Sequence, residues 1–171
     1  SIRYHGKVYT YKKDILTFLF LGIDKNGEVK ASSNLFKGGQ ADALFLAVLD
    51  PGEKKISVIG INRDTMASMN VYDKNGRYSG RQTAQIALSH AYGDGLEESC
   101  ENSLDAVSNL FYGLPIHGYC ALNMSVVSKL NDAVGGVDVV IPESANGLEK
   151  GWTTGAEVHL EGDAAYQFIH Y

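Results

Sequence analysis

The run Ile15–Ile23, ILTFLFLGI, is nine residues long and carries Thr17 as its one polar side chain. A membrane span needs about 20 apolar residues in succession, so this run reads as a core strand covered on both faces. Asp42–Leu49 (DALFLAVL) and Ile56–Ile61 (ISVIGI) have the same character. The connection between them, Asp50-Pro51-Gly52-Glu53-Lys54-Lys55, is rich in turn formers and short enough for an antiparallel hairpin. Three central strands therefore come from the first third of the chain, with a possible short edge strand, Val8–Tyr11, ahead of them.

Helical periodicity follows. Thr83–Ala91 places Ala84, Ala87, Leu88 and Ala91 on one face. A second helix is expected from about Glu97 to Tyr112, with Cys100, Leu104, Val107 and Phe111 as its apolar stripe, acidic residues in its first turns, and Gly113 ending it. A short strand at Gly118–Leu122 comes next. A third helix over Ser125–Val134 would turn Val126, Leu130 and Ala133 inward from a Ser125 N-cap. Gly135-Gly136 breaks it, Val137–Ile141 reads as a strand, and a last helix begins near Gly162. The fold class expected is α/β in the mixed α+β sense, a central mixed sheet flanked by helices on both faces as a three-layer sandwich.

At 171 residues with 44% hydrophobic content, the chain suits a single domain over 1–171. Strand-like alternation at the very start and a helical pattern reaching Tyr171 suggest that both ends are cut from something longer. The net charge of -5 and scattered basic residues argue against nucleic acid as a partner. Cys100 and Cys120 lack metal spacing and are expected as two buried thiols rather than a disulfide.

Chemistry-bearing residues collect where the central strands end. Asp24 follows the first, Asp42 opens the second, and Arg63-Asp64 follows the third. Taken singly, such an Asp often caps a loop amide, and Arg63-Asp64 could be an ordinary surface pair. If the second strand runs antiparallel to both neighbours, however, Asp24, Asp42 and Arg63 gather at one edge. Two carboxylates suit a hard cation that shares phosphate oxygens, and a guanidinium supplies a planar fork for phosphate. The pattern points to pyrophosphate chemistry. Nucleophilic triads fare worse: there is no G-x-S-x-G elbow, and His90 and His117 have no partner nameable from sequence. Gly38-Gly39 reads as a mobile loop before Asp42.

The ordered words FLFLGID, QADALFLAVLD, KKISVIGINRDT, SHAYGDG, NLFYGLPIHGYCALNM, LNDAVGGVDVVIPE and LEGDAAYQFIH resemble the LytR-CpsA-Psr family from about Ile15 to the end. The resemblance implies a phosphotransferase, anchored by an N-terminal membrane helix and facing outward. It would move a glycopolymer such as teichoic acid or capsule from an undecaprenyl-pyrophosphate carrier to a peptidoglycan hydroxyl, with Mg²⁺ (or Mn²⁺). Asp24 and Asp42 match the metal positions. Asp42, Arg63 and Asp64 match the catalytic ones, and Arg63 the phosphate contact. The family's lipid lies in a tunnel between sheet and helices.

Departures from the pattern concern cations. Gln40 stands where the family has Arg, Ala87 where it commonly has Lys, and His170 where it has the first Arg of an R-x-R, the second falling beyond Tyr171. Gln40 and His170 are therefore the phosphate-side residues at those positions, with Arg81 (or Lys37) as a substitute cation. The alternative expectation is a non-catalytic module that binds polyprenyl phosphate or wall glycan, the older label for such proteins being transcriptional attenuator.

Overall fold

The computed structural model describes residues 1–25, 38–73, 75 and 77–170, the last without its side chain. They form two compact units, Ser1–Leu122 and Asn123–Tyr171. The first holds β1 (Ile2–Tyr4), β2 (Lys7–Tyr9), β3 (Leu16–Ile23), β4 (Ala41–Asp50), β5 (Lys55–Ile61), β6 (Met66–Tyr72), β7 (Tyr78–Gln85), α1 (Leu88–Ala91), α2 (Glu97–Leu110) and β8 (Gly118–Asn123), which reaches the boundary. The second holds a 3₁₀ turn (Met124–Val126), α3 (Val127–Ala133), β9 (Val137–Val140), β10 (Glu157–Leu160) and α4 (Asp163–His170). The α/β class expected from the sequence is the one found.

The principal sheet has the order β5-β4-β3-β8, and β4 runs antiparallel to both β3 and β5. Alternation along β3 buries Thr17, Leu19, Leu21 and Ile23 on one face. That face meets Leu44, Leu46 and Ile61 from neighbouring strands, Ala67 and Met69 from β6, and Cys100, Ala106 and Val107 from α2, in one hydrophobic core. The opposite face is part-open in this chain: Phe20 is 42% exposed, Phe45 46% and Val58 64%. The expectation of strands covered on both faces is thus met on one face only, because the core-forming elements of this unit pack on one side.

The helix expected over Thr83–Ala91 is overturned. Residues up to Gln85 form β7, paired antiparallel with β6 in the register Ala67↔Ala84 and Met69↔Gln82, and the helix shrinks to α1. The small side chains Ala84 and Ala87 fit either structure, so the ladder offered by β6 outweighs a weak local preference. β1 falls within the strand-like alternation at the start of the chain, whereas β6, β7 and β10 have no counterpart among the expected strands.

Helix α2 forms where expected, but its buried side is Ser99, Cys100, Asn102, Ser103, Ala106 and Val107, with Leu104 packed at the edge. Its end is closed by Gly113 N–H donating to the Ser108 carbonyl at 2.7 Å.

In the second unit, Ile141, Ala145, Trp152, Leu160 and Ala165 make a small core. Two details of α3 depart from expectation. Ser125 lies inside the 3₁₀ turn and caps nothing, and Leu130 (53% exposed) and Ala133 face solvent. The inward position belongs to Asn131, whose amide donates to the Leu160 carbonyl at 2.8 Å and so can be buried at little cost.

Both cysteines are free, but only Cys100 is buried; Cys120 is exposed, against the expectation of two buried thiols. It sits on β8, next to solvent-facing Tyr119. Burial pushes the Cys100 thiol up to about 11. A maleimide or aromatic disulfide reagent should therefore label Cys120 in the native protein and Cys100 only after unfolding. Equal rates at both would contradict this placement.

Candidate functional site

The antiparallel course of β4 brings three strand ends to one edge. The register pairs Ile23 with Ala41 and Leu44 with Ile61, so the residues just past β3 and β5 flank the start of β4. Backbone hydrogen bonds then tie the segments together. Asp24 N–H donates to the Gln40 carbonyl at 3.0 Å, Ala41 N–H to the Ala87 carbonyl at 3.1 Å, Ala87 N–H to the Arg63 carbonyl at 3.2 Å, and Ile86 N–H to the Thr65 carbonyl at 2.8 Å. Four separate stretches of sequence are fixed without using a side chain, which leaves the side chains to act.

Three of the expected residues converge. Arg63 Nη1 lies 2.7 Å from Asp42 Oδ1, and Arg63 Nε lies 4.0 Å from Asp64 Oδ1. Asp42 is the most enclosed of the three, its side chain 26% exposed against 46% for Arg63. Although ion-paired, the buried Asp42 Oδ1 receives no aligned hydrogen bond. Burial raises the Asp42 carboxyl above its ordinary range; Arg63 pulls it down, and the Asp24 charge pushes it up again. Asp24 itself is exposed. The group borders an open hollow formed by the end of β5 and the start of β4, lined among others by Phe45, Gly60 and Asn62.

Asp64 is held by residues that sequence reasoning did not single out. Gln85 Nε2 donates to Asp64 Oδ1 at 2.9 Å, and the Asp64 N–H donates to Asn62 Oδ1 at 2.8 Å. Gln85 lies 21 residues away, and only the β6–β7 ladder returns it to Asp64.

The remaining expected residues are placed differently. Gln40 is exposed beside Asp42, its carbonyl engaged by Asp24. Arg81 sits along β7, with Nε donating to Asn70 Oδ1 at 3.2 Å. At about 3.4 Å per residue it lies roughly 14 Å along the strand from Gln85, so β7 does not bring it to the Asp42 group. Ala87 is buried and offers only its backbone. Lys37 and the His170 side chain lie outside the described residues.

A divalent ion suits this donor set in one respect: a buried carboxylate oxygen with lone-pair capacity and a second carboxylate near enough to shift it. Among the described residues no group of three His, Cys, Asp or Glu could hold a metal alone. Two carboxylates are fewer ligands than a hard cation takes, so a metal held here would have to complete its shell from phosphate oxygens or water.

The family model described as the LytR_cpsA_psr family matches residues 3–171. Among curated proteins, the chain is similar to the polyisoprenyl-teichoic acid–peptidoglycan teichoic acid transferase TagU of Bacillus anthracis, 29% identical over 161 residues that cover 92% of this chain and 44% of the relative. The protein of the same name from Enterococcus faecalis is 26% identical over 95% of this chain and 47% of the relative. Among solved structures, gbs0355 from Streptococcus agalactiae superposes with a TM-score of 0.66 at 23% identity, over 90% of this chain and 50% of that one. Lin1025 from Listeria innocua gives 0.62 at 23%, over 93% and 55%. At that identity the structural likeness speaks for the fold, and the chain spans about half the length of the proteins it matches.

Proposed function

The chain belongs to the LytR-CpsA-Psr family, and on that premise we propose that it is the core of a phosphotransferase that moves a glycopolymer from a polyprenyl pyrophosphate onto peptidoglycan. The observation that carries this reading is the Arg63–Asp42 pair at 2.7 Å, at the edge where β3, β4 and β5 meet and beside Asp24. Support for the substrate class comes from the relatives, whose name states transfer of a polyisoprenyl-linked teichoic acid to peptidoglycan. A membrane anchor and an outward-facing domain belong to the same proposal; among the described residues no helix is long and apolar enough to cross a membrane.

In this reading Arg63 binds the pyrophosphate through its planar fork and stabilises charge on the leaving phosphate. An acceptor sugar hydroxyl forms a bond to the phosphorus that carries the glycan. The bridging P–O bond breaks, and polyprenyl phosphate departs with that electron pair. Asp64, oriented by Gln85, takes the hydroxyl proton. Asp42 and Asp24 would hold Mg²⁺, which, when bound, neutralises phosphate charge.

A second reading, a module that binds polyprenyl phosphate or wall glycan without turnover, draws support from the cation count. Neutral Gln40 and buried Ala87 offer no positive charge, and Arg81 is engaged elsewhere. Full-length protein incubated with lipid-linked glycopolymer, peptidoglycan and Mg²⁺ separates the two. The transferase releases polyprenyl phosphate, and Asp42→Asn or chelation of the metal lowers the rate by about 100-fold or more. Binding of the donor with no release under any acceptor would establish the module instead.

A further inference from the structure

His90 is 1% exposed, and nothing in the proposed chemistry uses it. Its Nδ1 lies 3.0 Å from the Gly39 carbonyl oxygen, and its Nε2 lies 3.8 Å from Cys100 Sγ. A carbonyl only accepts, so Nδ1 must carry the ring proton. Nε2 is then an acceptor, and the Cys100 thiol, which burial keeps protonated, donates to it. Burial also holds the His90 ring below its ordinary range and hence neutral.

The segment that receives this hydrogen bond is not a free loop. Gly38 is buried, and a Cβ there would fall 3.0 Å from Gly95 Cα and 3.2 Å from the His90 carbonyl oxygen. Gly39 has φ +84°, and a Cβ on it would fall 2.8 Å from Ile23 Cγ2. The mobile loop expected at Gly38-Gly39 is instead threaded between the end of β3 and the Gly95 turn. Directly after it come the Gln40 carbonyl that holds Asp24, the Ala41 N–H bonded to Ala87, and Asp42.

We propose that His90, as an Nδ1–H donor to the Gly39 carbonyl, is a positioning residue that sets where Asp24 and Asp42 stand relative to a bound pyrophosphate. The proposal rests on the phosphate-site reading above. It gives a role to a residue with no contact to substrate, metal or reacting atoms. Misplacing reactive groups by about 1 Å costs on the order of 100-fold in rate, so loss of one buried hydrogen bond here can matter far more for the site than for the fold.

Two isosteres separate the ring nitrogens. The Asn side-chain amide lies near the position of Nδ1, and the Gln amide near that of Nε2. In the full-length protein with Mg²⁺, calorimetry with geranylgeranyl pyrophosphate is expected to show His90→Asn within about threefold of wild type, and His90→Gln and His90→Phe weaker by about tenfold or more. Equal binding by all three variants would overturn the positioning role while leaving the site intact. So would losses that merely track the melting temperature of each variant. Absence of binding by wild type itself, unchanged in Asp42→Asn, would remove the underlying site instead. The tautomer needs no variant: ring nitrogen shifts of isotope-labelled wild-type protein should show Nδ1 protonated and Nε2 bare, and the reverse would sink the proposal.

Discussion

Arg63→Ala is expected to lower transfer to peptidoglycan by about 100- to 1000-fold, the loss typical of removing one preorganised donor from a site of developing charge. The side chain is 46% exposed, so its removal leaves the core untouched and the far-ultraviolet circular dichroism should not change. What changes is local. Asp42 loses the cation that offsets its burial, and Asp24 continues to push its carboxyl upward. The variant therefore loses a phosphate ligand and weakens the metal-side carboxylate in the same step. Arg63→Lys separates these two effects. A Lys keeps the charge beside Asp42 but lacks the planar fork, so its rate should fall between wild type and Ala, about tenfold down. Release of radiolabelled polyprenyl phosphate measures all three proteins. An Arg63→Ala rate within about threefold of wild type would leave the Asp42 edge without a phosphate function.

How much of this was legible in the sequence follows from how local each signal was. Leu16–Ile23, Ala41–Asp50 and Lys55–Ile61 announced themselves through their apolar runs, and the short Pro51-Gly52 connection suited an antiparallel hairpin of the last two. That pairing alone predicted that Asp42 and Arg63 would meet. The β6–β7 ribbon left no such trace. Its strands mix small and polar residues, and Ala84, Ala87, Leu88 and Ala91 imitate a helix face. Missing β7 meant missing Gln85, because its partnership with Asp64 exists only through the ladder. His90 was visible as a residue but not as a donor: its partner Gly39 is 51 positions away and offers a carbonyl, which no side-chain pattern reports. On α3 the apolar spacing pointed to Leu130, whereas the fold chose Asn131 for a hydrogen bond that sequence does not display.

Gly93→Ala is the substitution expected to damage the fold most for its size. Gly93 is buried in the turn between α1 and α2, and a Cβ on it would fall 2.6 Å from Ser99 Cα and closer still to the Ser99 nitrogen. These are backbone atoms of the first turn of a 14-residue helix, so no side chain can rotate away. The turn has little slack of its own. Gly95 N–H donates to Ser99 Oγ at 2.7 Å, and Leu96 N–H donates to Asp94 Oδ1 at 2.7 Å. Relief must come from moving α2 relative to α1, which strains a core that includes Cys100, Ala106 and Val107. Overpacking of this kind costs about 3 kcal/mol, which for a chain of this size lowers the melting temperature by about 6 to 12 °C. The same displacement reaches the site. Gly38 packs on Gly95, and His90 lies in α1, so a shifted turn moves the segment that presents Asp42. Binding of geranylgeranyl pyrophosphate should therefore weaken in Gly93→Ala even at temperatures where the variant is fully folded. A variant that melts with wild type would show that this turn has room the backbone geometry denies. One that is destabilised yet binds normally would show that the Gly38–Gly95 contact does not connect the turn to Asp42.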